Sequence, residues 1–339
     1  MDSMFGEVFR PVQSDLRAAQ AIYRDRLGDI RGELSLAGAE VATHRGKWLR
    51  PGLFLLTVAA LDRPTERHHN LAAAVELLHT ASLVHDDIRD GASIRRHRPT
   101  INAQFGTKQA VLFGDLLVSL AFELISLSDY PHAYMTLSTI MWALTTGEAL
   151  QDRLSRIAGE ITEEDALEAA RRKTAVFPAE VCSLAARCAG ASESKSKELH
   201  HFGLEFGMAF QILDDVLDVV GREEAAGKTL RTDLIECRPG LPLALTLNRS
   251  RQAALALLPP QNEEDLRALT ALMLRTGALQ RALTHAGARL KAARRYLGRA
   301  KLGQSDSAHA IYGLIDLMAK QDEALRPRTE SQHVAEEAI

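Results

Sequence analysis

An all-α fold is the expectation from sequence, and three observations set it. Apolar residues recur with helical spacing through most of the chain, and no stretch sustains the two-residue alternation of a half-buried strand. Glycine and proline are sparse, 22 and 11 among 339 residues, which argues against turn-dense all-β, collagen-like or linker-like architectures. A hydrophobic share of 46% against 25% charged can bury a large core and excludes wholesale disorder.

The periodicity predicts helices over 13–38, 47–61, 67–90, 101–127, 132–157, 163–190, 196–221 and 240–257, two pieces over 263–298, and one over 306–323. The first acidic run, LVHDDIRD, closes the helix over 67–90. Within 101–127 the most apolar stretch, 110–127, is interrupted by Gly114, Asp115 and Glu123, which fits a buried core helix better than a membrane span of about 20 apolar residues. Thr162 and Asp165 form a capping-box pattern that opens the helix over 163–190. The helix over 196–221 is apolar on most of its circumference, which places it in the middle of a bundle. Pro259 and Pro260 stop one helix and Asn262 caps the next. From Arg326 the chain is polar and reads as a frayed tail, so one helical domain over 1–323 and a flexible tail over 324–339 are expected.

Composition narrows the function. With 41 Lys and Arg against 44 Asp and Glu, the net charge of −3 offers no global basic field for nucleic acid, so any anion site must be a local cluster of cations. Cys182, Cys188 and Cys237 form no CxxC and read as small buried hydrophobes in a reducing compartment, not as a disulfide framework or zinc site. The segment MDSMFGEVFRP carries Asp2 and Glu7 where a signal peptide would be basic and then apolar, and a cytoplasmic location with no transmembrane helix is expected.

The chemistry lies in two DDxxD runs. In LVHDDIRD, Asp86 and Asp90 stand one helical turn apart, on a stripe that runs back through Ser82 to His79, with Asp87 beside them. In QILDDVLD, Gln211, Asp214 and Asp218 share a stripe with Gly207, and Asp215 lies next to it. A single DDxxD would ordinarily be a solvated helix end, but two copies inside apolar helices are not. Interior carboxylates stay ionised only when paired with cations or bound to metal. Oxygen-only ligands favour Mg²⁺, which keeps waters and shares itself with substrate phosphates, so the implied ligand is a diphosphate. Cations suited to it occur in GKWLRP (Lys47, Arg50), after the first acidic run (Arg95, Arg96, Arg98), in RRKTA (Lys173) and in AAGKT (Lys228).

These runs, in this order, resemble the trans-isoprenyl diphosphate synthases of the polyprenyl synthetase family, and the long-chain polyprenyl diphosphate synthases most of all. GKWLRP, ELLHTASLVHDDIRDGASIRRHRPTINAQFG, VLFGDLL, GEALQ, RRKTAVF and FQILDDVLD carry the resemblance, which covers roughly 46–242. It implies a helical bundle around a central cavity, the isoprenoid synthase fold. It also implies head-to-tail condensation of isopentenyl diphosphate with an allylic prenyl diphosphate, normally by a homodimer. By the same resemblance Asp86, Asp90, Asp214 and Asp218 are metal residues for Mg²⁺, three ions in the family, supported by Asp87 and Asp215. Arg95, Lys173 and Lys228 hold the allylic diphosphate; Lys47, Arg50, His79 and Arg96 hold isopentenyl diphosphate; Thr174 and Gln211 lie near the reacting carbons. Small residues at Ala81 and Ser82, beneath the first acids, imply a tunnel with Leu137 and Met141 as floor residues, hence a medium- or long-chain product released at a membrane surface by peripheral contact. His97, Arg231, Cys237 and Gly240 depart from the family pattern of Gly, Gly, Gly and Thr, within the loops that close over the diphosphates.

Rival readings are a short-chain synthase, a non-catalytic subunit of a heteromeric synthase, a terpene cyclase, and a di-iron oxidase suggested by Glu-x-x-His at 76–79 and 198–201. The oxidase leaves both acidic runs unexplained, the non-catalytic subunit should have lost one of them, and the cyclase needs no Lys47, Arg50 or Arg96.

Overall fold

The computed structural model describes residues 6–43, 46–95, 98–221 and 232–330. Among them the regular structure is helical apart from one two-residue antiparallel pair. The helices are α1 (Gln13–Gly28), α2 (Ser35–Ala42), α3 (Leu49–Ala59), α4 (Glu66–Arg89), α5 (Ile101–Phe105), α6 (Thr107–Ser128), α7 (His132–Arg156), α8 (Glu163–Ala170), α9 (Val176–Cys188), α10 (Glu193–Val220), α11 (Thr232–Ile235), α12 (Leu241–Leu255), α13 (Glu263–Arg275), α14 (Ala278–Ala300) and α15 (Asp306–Glu330). Strands β1 (Ile94–Arg95) and β2 (Arg98–Pro99) pair after α4.

The chain divides into two compact units, one of residues 1–138, 180–200 and 299–313, the other of 139–179, 201–298 and 314–339. In the first, α4 packs along α6, with α1 and α3 also against α4. Phe54, Leu71, Leu77, Leu78, Phe113 and Leu117 are fully buried there. In the second, α12 lies against α8 and α13, and Phe177, Phe202, Ile212, Leu213, Leu245 and Leu283 form the interior.

Helix starts follow side-chain chemistry. Asp165 N–H donates to Thr162 Oγ1 (3.1 Å) while Thr162 N–H donates to Asp165 Oδ2 (3.2 Å), the expected capping box. Asn262 Oδ1 accepts from Asp265 N–H at 2.9 Å, also as expected. At α4 the box is formed by Thr65 and His68, an unusual residue at that place, so the signal was missed in the sequence.

Four expectations need correction. The helix over 13–38 is two, because the chain turns at Gly32 (φ +70°), and that over 101–127 breaks at Gly106 (φ +83°). The helix over 163–190 contains a π-helical turn, Arg171–Ala175. The tail is also shorter than expected. α15 continues to Glu330, and Arg326 Nη2 donates to Asp322 Oδ2 at 2.7 Å one turn earlier, tying down residues read as frayed.

α6 carries apolar residues on both its buried and its exposed side, the latter interrupted by Asp115 and Glu123. Ala110, Phe113, Leu117, Ala121, Leu124 and Ile125 are buried, whereas Leu112 is 55% exposed and Val111, Phe122 and Leu127 are exposed as well. Tyr134 and Met135 (70% exposed) of α7 extend that face, and the Phe122 and Tyr134 rings stack at 6.3 Å. By length and composition alone α6 could cross a membrane.

Candidate active site

In the first unit the acidic run occupies the last turn of α4 and its C-cap, Asp90. Backbone carbonyls already make that end of a helix negative, so three carboxylates there must be compensated by positive charge. Asp86 and Asp90 are half-buried, while Asp87 is 5% exposed and accepts a 2.6 Å hydrogen bond from Arg95 Nε on β1. One turn after another up the same helix come Ser82, whose hydroxyl donates to His79 O (2.8 Å), and His79, whose Nε2 is 3.0 Å from Arg50 Nη1. Arg50 sits in the first turn of α3, whose N-cap is Trp48 at φ +51°. Trp48 meets Tyr23 edge to face at 5.3 Å, and the Tyr23 hydroxyl is 3.1 Å from Thr80 Oγ1, so the GKWLRP turn, Lys47 included, is anchored to α1 and α4. The structure thus brings Arg50 to His79 and Arg95 to Asp87.

In the second unit the other acidic run again closes a helix, in the last two turns of α10. Asp214 is half-buried and Asp218 is buried, its Oδ2 accepting from Asp233 N–H at 3.4 Å. Burial, then the Asp233 carboxylate, push the Asp215 carboxyl up to about 8, opposed by its hydrogen bonds from Gln211 and Leu241. Lys173 and Thr174 lie on the π turn, a feature found often at functional sites because it widens one turn and re-aims its side chains. Two glycines allow that turn to be gripped. A Cβ at Gly147 of α7 would lie 2.8 Å from Lys173 N, and one at Gly207 of α10 would lie 2.6 Å from Ala175 Cα. Lys173 Nζ is 2.8 Å from Glu148 Oε1 and donates to Gln151 Oε1 at 3.1 Å. Thr174 Oγ1 donates to Gln211 Oε1 at 2.5 Å.

Glu148 and Gln151 lie in GEALQ, and the sequence alone gives them no role. Their spacing, one helical turn, was the available signal. Arg238, 3.5 Å from Asp233, is a further cation of this unit. Among the chain-length residues Ala81 and Leu137 are buried, and Ser82 and Met141 half-buried. Cys237 adopts φ +51°, the left-handed region that favours glycine, which explains why the family pattern has glycine there. Arg96, His97, Lys228 and Arg231 lie outside the described residues.

Among the described residues no three His, Cys, Asp or Glu side chains close around an ion by themselves. The donors present are carboxylate oxygens in separate turns, a set that suits Mg²⁺ completed by water and phosphate better than an all-protein cage.

Helical architecture with acids collected at two negative helix ends and cations held beside them places the chain among the enzymes of the isoprenoid synthase fold. The chain belongs to the polyprenyl synthetase family, whose model matches residues 33–273, and it is a prenyltransferase. It is 34% identical over 284 residues to heptaprenyl diphosphate synthase component 2 of Geobacillus stearothermophilus, covering 83% of this chain and 86% of that protein. It is 32% identical over 312 residues to a short chain isoprenyl diphosphate synthase of Methanothermobacter thermautotrophicus, covering 88% and 94%. The crystal structure of a polyprenyl synthase from Caulobacter crescentus CB15, complexed with calcium and isoprenyl diphosphate, superposes with a TM-score of 0.85 at 29% identity, covering 93% of this chain and 97% of that one. Members of the family depend on divalent metal.

Proposed function

We propose that the chain condenses isopentenyl diphosphate with an allylic prenyl diphosphate, head to tail, and extends the product to medium or long chain length. The observation that carries this reading is the placing of both aspartate-rich runs at helix C-termini, where carboxylates are tolerated only against concentrated positive charge. Asp86, Asp90, Asp214 and Asp218 are the residues to hold Mg²⁺, which when bound neutralises the diphosphate leaving the allylic carbon.

The chain's own groups do the rest. Lys173, Arg95 and Lys228 bind the allylic diphosphate, and Lys47, Arg50, His79 and Arg96 bind isopentenyl diphosphate. The oxygens of Thr174 and Gln211 face the allylic carbon and stabilise positive charge as it develops. Apolar walls exclude water from that carbon, and the released diphosphate accepts the proton lost after the carbon–carbon bond forms. Ala81 and Ser82 leave depth for a growing tail, since one helical turn is about 5.4 Å.

The exposed apolar face of α6 supports assembly, with a second copy of the chain as its partner. A distinct subunit is the second reading, favoured by the likeness to a protein named as component 2 of a synthase.

The purified chain, given isopentenyl diphosphate, each allylic starter and Mg²⁺, is expected to yield polyprenyl diphosphates longer than farnesyl, identified by mass after dephosphorylation. Asp86→Ala and Asp214→Ala should each lower turnover by orders of magnitude with helical content intact. Ser82→Phe should shorten the product while the first condensation continues. Arrest at farnesyl diphosphate would remove the long-chain assignment, and near-normal rates in both aspartate variants would remove the site.

A further inference from the structure

Asp215 has both of its oxygens engaged by protein N–H groups. It is 9% exposed; its Oδ1 accepts from Gln211 Nε2 at 2.7 Å and its Oδ2 from Leu241 N–H at 3.2 Å. Leu241 is the first residue of α12, so Asp215 also satisfies one of the N–H groups that a helix start leaves open. Gln211 is thereby given a direction. Its Nε2 donates to Asp215 Oδ1, the oxygen that the Leu241 N–H leaves open, which turns the NH₂ end toward Asp215 and the carbonyl end toward Thr174. Gln211 Oε1 then receives the Thr174 hydroxyl hydrogen at 2.5 Å. With its hydrogen committed, the Thr174 hydroxyl presents only oxygen lone pairs to anything else, the polarity that a developing carbocation needs.

We propose that Asp215 is a positioning residue and not a metal ligand: pinned on α10 by the first N–H of α12, it orients Gln211, and through Gln211 it fixes the Thr174 oxygen toward the allylic carbon. This sets it apart from Asp214 and Asp218 of the same run, and it rests on the roles given above to Thr174 and Gln211. Asp87 shows the same pattern in the other run, being buried and bound to Arg95.

The test uses Asp215→Asn, which keeps one acceptor but cannot accept from both Gln211 and Leu241, alongside Gln211→Ala, the double variant and Asp214→Asn. Turnover is measured together with the affinity for inorganic pyrophosphate in the presence of Mg²⁺ by calorimetry, a readout independent of catalysis. Asp215→Asn should lower kcat by about tenfold to a hundredfold. Its pyrophosphate affinity should stay within about threefold of the parent, while Asp214→Asn loses about tenfold or more. The double variant should be no slower than Gln211→Ala alone, because the two residues act as one unit. An additive double variant, or a loss of pyrophosphate affinity in Asp215→Asn equal to that in Asp214→Asn, overturns the proposal. If Asp214→Asn also binds pyrophosphate normally, the metal assignment falls while a non-additive pair still supports the relay. Should Asp215→Asn fail to fold, the relay is read from its other end: Thr174→Val combined with Gln211→Ala must be no slower than the slower single variant, and additivity there overturns it too.

Discussion

Glu168 shows how much of the site's scaffolding is electrostatic at the level of a single residue. Arg171 Nε reaches its Oε2 at 2.6 Å and Arg172 Nε its Oε1 at 2.5 Å, and these guanidiniums, Arg171 foremost, hold the carboxyl down at about 2. Both arginines belong to the π turn that carries Lys173, so the ion pairs brace it. The sign of the pH dependence follows. A carboxyl held below its ordinary 4.5 contributes its full stabilisation above that pH and loses it as pH falls through about 2. Glu168→Gln should therefore be less stable than the parent above about pH 4.5, with the deficit shrinking as acid protonates the parent's own carboxyl. Urea unfolding across a pH series measures it, and a deficit constant down to pH 2 would show that the ion pairs do not link to folding. Arg172 also lies over the Trp142 ring at 5.9 Å, which holds its chain against α7.

At the scale of elements, the segment from α8 through α9 is one continuous helical run with a widened turn, and its neighbours are shaped to that widening. At Gly147 of α7 any side chain would meet Lys173 N and Arg172 Cβ at 2.8 and 2.9 Å. Backbone cannot step aside as the end of a flexible side chain can, so Gly147→Ala should destabilise by about 1–3 kcal/mol. It should also displace Lys173 from Glu148 and Gln151, lowering turnover and raising the KM for the allylic diphosphate more than that for isopentenyl diphosphate. Thermal unfolding and steady-state kinetics test both halves. A variant as stable and active as the parent would mean that the two helices can separate without consequence. The motif GEALQ thus has a physical reading: glycine for approach, glutamate and glutamine one turn apart for Lys173.

For the whole molecule, the question left by the fold is what covers α6. A face that includes Leu112, Phe122, Leu127 and Met135 is costly to hydrate, at about 25 cal/mol per Å² of apolar surface. We expect a second copy of the chain to cover it. Leu112→Asp sets a charge in that face and should shift the chain from dimer to monomer in sedimentation at micromolar concentration. If the parent is itself monomeric and dimerises only with another subunit, the likeness to a synthase component becomes the better guide to assembly.

Helical period, the caps at Thr162 and Asn262, and both acidic runs with their flanking cations were legible in the sequence, because each is a short-range property: spacing along one helix, or side chain to nearby backbone. Helix breaks at Gly32 and Gly106 were not, since a glycine inside a periodic pattern reads the same whether the helix continues or turns. The π turn was likewise invisible, for nothing in RRKTA fixes its geometry until α7 and α10 press against it through Gly147 and Gly207. Tertiary structure alone decided how each acid is surrounded. Asp214 and Asp215 are adjacent and identical in type, yet only the fold places Asp215 beneath the Leu241 amide and beside Gln211, and burial with hydrogen bonds on both oxygens, which no spacing encodes, separates its surroundings from its neighbour's.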